Sequence, residues 1–155
     1  MLIVGEENVT EALEELAVKG FCFHGSSRKI EEKLVPQLAS DENKESGNRK
    51  AVYMTNNPLL AEFTALCGGV DVGKRKNICY MKIEDGKISY PEKPYFAVEK
   101  IERVAEEGYV YVFDKRTPGF EEINEEILSY EPVEPIFAIK IKKTDFKYPI
   151  SKIGE

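Results

Sequence analysis

One histidine, His24, occurs in the 155 residues of this chain. It stands in Phe21-Cys22-Phe23-His24-Gly25-Ser26-Ser27, where an alternating apolar run gives way to small polar residues. Two other places end or begin apolar runs with residues capable of chemistry: Tyr53-Met54-Thr55, and Glu126 at the head of Glu126-Ile127-Leu128-Ser129. An imidazole, an aromatic ring, hydroxyls and a carboxylate make a set that works by hydrogen bonding, stacking and charge. Metal ligation is a poor fit, because with only His24 and no paired cysteines a zinc site would have to be built mostly from carboxylates. Gly25, directly after the histidine, has no Cβ to keep a ligand away from its backbone amide. Each position also has a plain structural reading. His24 could hydrogen-bond within the fold, Tyr53 could belong to the core, and any glutamate of Glu121-Glu122-Ile123-Asn124-Glu125-Glu126 could be solvated.

The elements that would position these residues follow from the hydrophobic pattern. Phe21 to His24 alternates as a short buried strand, with Cys22 and His24 on one face and the two phenylalanines on the other. An amphipathic helix precedes it over Asn8 to Lys19, with Thr10 as N-cap and Gly20 as the stop. After the strand, Ser26 to Leu34 reads as a serine-capped short helix or turn broken at Val35-Pro36, and Ala39 to Lys50 as a polar surface loop. Ala51 to Thr55 is a second strand, and Asn56-Asn57-Pro58 starts a helix over Leu59 to Leu66 that Gly68-Gly69 ends. Glu84-Asp85-Gly86 between Ile78 to Ile83 and Lys87 to Tyr90 signals a hairpin, and Pro91 to Pro94 a loop. Phe96 to Glu107 has mixed periodicity that suggests a helix. Gly108 to Phe113 is a strand by its β-branched and aromatic content, and Ile127 to Tyr130 and Pro135 to Lys142 read as two strands or one bent strand. Late strands joined by turn-length connections favour an α+β fold with antiparallel or mixed pairing.

The bulk properties narrow the function classes. The length suits one compact domain, with 42% hydrophobic and 32% charged residues, an ordinary globular balance. No apolar stretch approaches the roughly 20 residues that span a bilayer, and Met1 to Gly5 is too short for a signal peptide, so a cytoplasmic protein without a membrane partner is expected. Cys22, Cys67 and Cys79 are scattered in apolar segments, as reduced buried thiols are. A net charge of −6 removes the usual driving force for nonspecific nucleic-acid binding. The basic runs Gly73 to Lys76 and Lys140 to Lys143 read as solvated surface.

Taken in order, the motifs resemble the ADP-ribosyltransferase superfamily, in its diphtheria-toxin-like and poly(ADP-ribose)-polymerase-like branch with a His-Tyr-Glu triad. The resemblance rests on Phe23-His24-Gly25-Ser26, on Ile30, Leu34 and Pro36, on Val52-Tyr53-Met54-Thr55 with Ala61 behind it, and on Glu126-Ile127-Leu128-Ser129. Ser129-Tyr130-Glu131-Pro132-Val133 is similar to a terminal segment of rifamycin ADP-ribosyltransferases. The resemblance implies a split, mixed and mainly antiparallel β-sheet with flanking helices, formed by residues 21 to 147 behind an N-terminal helix in residues 1 to 20. It implies NAD as substrate and transfer of ADP-ribose to an acceptor. His24 would hold a ribose hydroxyl, the Gly25 backbone would clasp the nicotinamide amide, and Tyr53 would stack on the nicotinamide ring. Ser26 and Thr55 would complete the dinucleotide site. Glu126 would accept from the ribose 2′-hydroxyl and stabilise the oxocarbenium-like transition state, with Glu131 and Glu134 as alternative positions for that glutamate. Arginine-modifying toxins carry a glutamate two residues before the catalytic one, where this chain has Asn124, so arginine is not the expected acceptor. A protein or small-molecule acceptor is expected rather than nucleic acid. The alternatives are a noncatalytic NAD or ADP-ribose binding module and a protein-interaction domain.

Overall fold

The computed structural model of the protein describes residues 1–38, 49–68, 77–79, 82–84, 87–89, 95–123 and 126–154. In chain order the elements are β1 (Ile3–Gly5), α1 (Val9–Val18), β2 (Phe21–Ser26), β3 (Gln37–Leu38), β4 (Lys50–Thr55) and α2 (Pro58–Cys67). Short strands β5 (Asn77–Cys79), β6 (Lys82–Glu84), β7 (Lys87–Ser89) and β8 (Phe96–Val98) follow, then the long β9 (Glu107–Asp114). The chain finishes with β10 (Phe120–Ile123), β11 (Glu126–Ser129), β12 (Phe137–Lys142) and β13 (Ile150–Lys152).

Local chemistry explains both helices. α2 begins as its sequence dictates, with the Asn57 side chain accepting from the Leu60 amide at 3.3 Å and Pro58 in the first turn, where a missing N–H costs nothing. It ends at Gly68, whose φ of 85° a Cβ would resist. α1 is capped by Asn8 rather than by Thr10: the Asn8 carboxamide oxygen accepts from the Glu11 amide at 3.1 Å. The Thr10 hydroxyl is used elsewhere, donating to the carboxylate of Glu62 on α2, with its oxygens 2.8 and 3.0 Å away.

The main sheet has the order β1-β12-β9-β2-β4-β11-β10, with β3 paired to β4, and only β1 against β12 is parallel. The fold is therefore α+β with a mixed, mainly antiparallel sheet. Its ladders are uneven. β2 pairs with β9 from Phe21 to Ser26 and β4 pairs with β11 from Val52 to Thr55, whereas β2 and β4 share the single pair Phe23 with Thr55. The sheet is divided there into an inner half, β1-β12-β9-β2, and an outer half, β4-β11-β10.

α2 lies across the inner half on the face carrying Phe23, Val110, Val112, Ile139 and Ile141, with Leu13 of α1 packed beside it. The approach is close enough to require glycine: a Cβ on Gly25 would overlap the Ala61 carbonyl oxygen, the Thr64 hydroxyl and the Ala65 amide, and one on Gly108 would overlap the Ala65 carbonyl. The opposite face, with Cys22, Met54, Tyr111, Phe113 and Ile127, is covered by Leu34, Ile30 and Val133.

Several expectations are corrected. Phe96 to Glu107 is not a helix; Phe96, Ala97 and Val98 are fully withdrawn from water and form β8 between β5 and β13, and only Ile101–Arg103 makes a single 3-10 turn. The segment from Ser26 to Leu34 forms no helix. The Ser26 hydroxyl accepts from the Arg28 amide at 3.1 Å in a local turn, and the Tyr111 hydroxyl then pins the segment by donating to the Arg28 carbonyl and accepting from the Ile30 amide. The two late strands are separate, and β1, β3, β10 and β13 are additions to the expected set. β6 and β7 form the expected hairpin, closed by Glu84 opposite Lys87. Its turn residues, most of the polar loop before β4, the basic run at 73–76 and the proline loop at 91–94 lie outside the described residues.

Candidate functional site at the sheet division

Paired residues on neighbouring strands project to the same face and successive residues to opposite faces, so the register assigns each side chain its place. Thr55 is opposite Phe23 on one side and Glu126 on the other; Tyr53 is opposite Leu128, which is opposite Glu121. Tyr53, Thr55, Glu126 and Glu121 consequently share one face of the outer half-sheet. His24 has the opposite parity, alongside Cys22 and Tyr111.

The histidine ring nevertheless reaches across the division. Its Nδ1 lies 2.6 Å from the carbonyl oxygen of Tyr53. A carbonyl only accepts, so Nδ1 carries the proton and Nε2 of the neutral ring presents a lone pair. No described residue engages that nitrogen. Burial holds the His24 pKa below the ordinary 6.5, outweighing the hydrogen bond to Tyr53, which acts to raise it. The ring is thus neutral at pH 7, with one nitrogen committed to the fold and the other available as an acceptor.

The same bond fixes the direction of the surrounding backbone. The Tyr53 carbonyl points toward β2, and alternation turns Thr55 and its partner Phe23 into each other across the division. Gly25, two residues beyond Phe23, therefore aims its amide and carbonyl toward the gap, past the last strand pair. The glycine itself is demanded by α2 on the sheet face, as the overlap of a Cβ with the helix backbone shows. Its openness to a ligand is a matter of where its backbone points.

The remaining expected residues are arranged as follows. Thr55 is buried beside Glu126, and its hydroxyl oxygen accepts from the Asn57 amide at 3.0 Å, tying β4 to the start of α2. Ser26 is on the His24 face of β2, opposite Tyr109. Tyr53 and Glu126 are each half-buried, whereas Glu131 and Glu134 are exposed beyond the end of β11. Of the three candidate glutamates, only Glu126 lies in the ladder next to Thr55. The structure therefore brings Tyr53, Thr55 and Glu126 together on one face and ties His24 to them through the Tyr53 backbone.

A polar cluster adjoining Tyr53 was not foreseen. Arg49 Nη1 donates to Glu121 Oε1 at 3.0 Å and to Tyr130 Oη at 2.7 Å, and Tyr130 Oη donates to Glu121 Oε2 at 3.0 Å. The Tyr53 hydroxyl donates to the Arg49 carbonyl. Only the β4-β11-β10 register unites these residues, and no local pattern in the sequence announces it.

The thiols of Cys22 and Cys67 are both pushed up to about 12 by burial, so neither is a nucleophile near neutral pH. Among the described residues no group of His, Cys, Asp and Glu is placed to hold a metal ion, and no helix is long and apolar enough to cross a membrane. Comparison with known proteins found no matching family model, no similar curated protein and no similar solved structure.

Proposed function

We propose that the protein is an NAD-dependent mono-ADP-ribosyltransferase with its site at the division between β2 and β4. The observation that carries this reading is the His24 Nδ1 bond to the Tyr53 carbonyl, with Glu126 beside Thr55 on the Tyr53 face. That bond ties His24 to the Tyr53 backbone across the division, and the β4-β11 ladder puts Glu126 one row from Tyr53, which supports reading the three residues as one site. His24 Nε2, held as an acceptor, receives a ribose hydroxyl. The Gly25 backbone, turned to the gap, bonds the nicotinamide carboxamide, and the Tyr53 ring stacks on the nicotinamide, a cationic ring attracted to a π face by about 0.5 to 2 kcal/mol.

Chemistry then needs little from the protein. The bond between the ribose C1′ and the nicotinamide nitrogen breaks, its electron pair stays on that nitrogen, and nicotinamide leaves neutral without a general acid. Positive charge grows on the sugar only near the transition state. The Glu126 carboxylate, bonded to the 2′-hydroxyl, therefore attracts the transition state more than the ground state. The acceptor nucleophile bonds to C1′ and gives up a proton. The overall charge of −6 favours a protein or small-molecule acceptor over a nucleic acid.

The test is calorimetric titration of NAD into the wild type and His24→Ala, paired with a nicotinamide-release assay on Glu126→Gln. Saturable binding to the wild type, lost in His24→Ala, is expected. In Glu126→Gln nicotinamide release should fall by about 100-fold or more while NAD affinity changes little. Absence of NAD binding to the wild type would refute the proposal, and binding with no cleavage in the presence of cell extract would leave a noncatalytic dinucleotide-binding module.

A further inference from the structure

We infer that Arg49 is the phosphate-binding residue of this site, gripping the diphosphate of the dinucleotide with the Nε and Nη2 edge of its guanidinium. The inference rests on the proposed NAD reading and extends it to a residue outside the His-Tyr-Glu set. Both side-chain partners of Arg49, Glu121 and Tyr130, are bonded to Nη1 alone. An arginine closing an ion pair for its own sake favours the two-pronged geometry, with both carboxylate oxygens on the guanidinium. Here Glu121 gives one oxygen to Arg49 and the other to Tyr130, so the triangle orients the guanidinium by one corner. Nε and Nη2, the fork that matches a phosphate, engage no described residue. The Arg49 side chain is 40% exposed, so a ligand can reach it.

Position supports the assignment. Glu121 is in the row of Tyr53 and Leu128, one row from Glu126 and Thr55. Rows on one face are about 7 Å apart and adjacent strands about 4.8 Å. The guanidinium bonded to Glu121 is therefore on the same face as Tyr53 and Glu126 and about one row from the latter. A ribose bonded to Glu126 through its 2′-hydroxyl carries its phosphate one sugar ring away. The backbone of Arg49 is fixed as well, since the Tyr53 hydroxyl donates to its carbonyl. Anchor and stacking platform are thereby set relative to each other before any ligand arrives.

The experiment compares wild type, Arg49→Gln and Glu121→Gln in titrations with NAD and with nicotinamide riboside, which lacks phosphate. In Arg49→Gln, NAD affinity should fall at least tenfold while riboside affinity changes less than twofold. Glu121→Gln, relieved of a carboxylate that repels phosphate, should bind NAD at least as tightly as the wild type. Thermal unfolding shows whether the glutamine variant is folded; if it is not, Arg49→Lys, which keeps the charge without the fork, should lose NAD affinity severalfold and keep riboside affinity. Equal NAD affinity in wild type and Arg49→Gln, or equal weakening of both ligands, would overturn the inference and leave the NAD reading standing. A wild type that binds the riboside and NAD equally would do the same. A wild type that binds neither overturns both.

Discussion

His24 is oriented by a backbone carbonyl on the neighbouring strand, that of Tyr53. Where β2 and β4 part, beyond their single pair, the imidazole Nδ1–H donates to the Tyr53 oxygen. A hydrogen bond of this kind is worth about 0.5 to 1.5 kcal/mol, and it holds the ring in one tautomer. Because His24 is the only histidine, nitrogen NMR can read that tautomer without assignment ambiguity: at pH 7 the proton is expected on Nδ1, and a signal for protonated Nε2 would show that the bond to Tyr53 is absent. The pH dependence has a definite sign. A folded-state pKa below 6.5 means that the neutral ring contributes stability above that value, and the contribution is lost as the pH falls through the lowered folded-state value. At this scale the sequence was informative about the strand and the face of it that His24 occupies, but not about its end, since β2 runs past His24 to Ser26. It was silent about partner, because the partner is a backbone atom and carries no residue signature.

Among the elements, α2 has the most exacting contacts. It rests on Gly25 and Gly108 mainly with backbone atoms of its small residues Ala61 and Ala65, joined at Gly25 by the Thr64 hydroxyl. Gly25→Ala should cost about 3 kcal/mol in urea unfolding, because helix and sheet would have to separate. Gly5→Ala, with nothing within 4 Å of its Cβ, should change stability by no more than about 0.5 kcal/mol. The Gly25 requirement could not be read locally, since the neighbouring motif offers a ligand as the reason and the helix that needs the space comes later in the chain. α2 itself was legible from Asn57, Pro58 and Gly68, whose roles are set by backbone chemistry. The elements that escaped detection, β1, β3, β10 and β13, have two to four residues each, too few for a period to show. β10 is further disguised by Glu121 and Glu122, which suit a solvated loop as well as a sheet edge. Phe96-Ala97-Val98 was misread because three successive buried residues carry neither a helical nor an alternating signature.

At the scale of the whole molecule, Glu62 is the one fully buried acid among the described residues, and the protein's stability must tolerate its charge. Glu62 is fully buried between α1 and α2, and burial pushes its carboxyl up from 4.5 to about 7, against the Thr10 hydroxyl and Lys147, which lower it, and with Glu14 and Asp145, which raise it. A raised folded-state pKa means that its favourable contribution is complete below the unfolded value near 4.5 and is lost as the pH rises through about 7. At about 1.36 kcal/mol per unit the ionised form costs roughly 3 kcal/mol. Glu62→Gln should therefore stabilise the protein at pH 8 by up to that amount and match the wild type at pH 4, as chemical unfolding at the two pH values would show. The α+β class and the mainly antiparallel pairing were legible from strands late in the chain with short connections, whereas the strand order depended on contacts between distant segments. That order creates the feature with the widest consequence, the single residue pair between β2 and β4. With so few backbone bonds between the two halves, their separation is governed by how side chains fill the volume above and below them. Substitution in those layers can widen or narrow the gap while every ladder stays intact, so this architecture leaves the spacing of its two halves free to drift while the fold is kept.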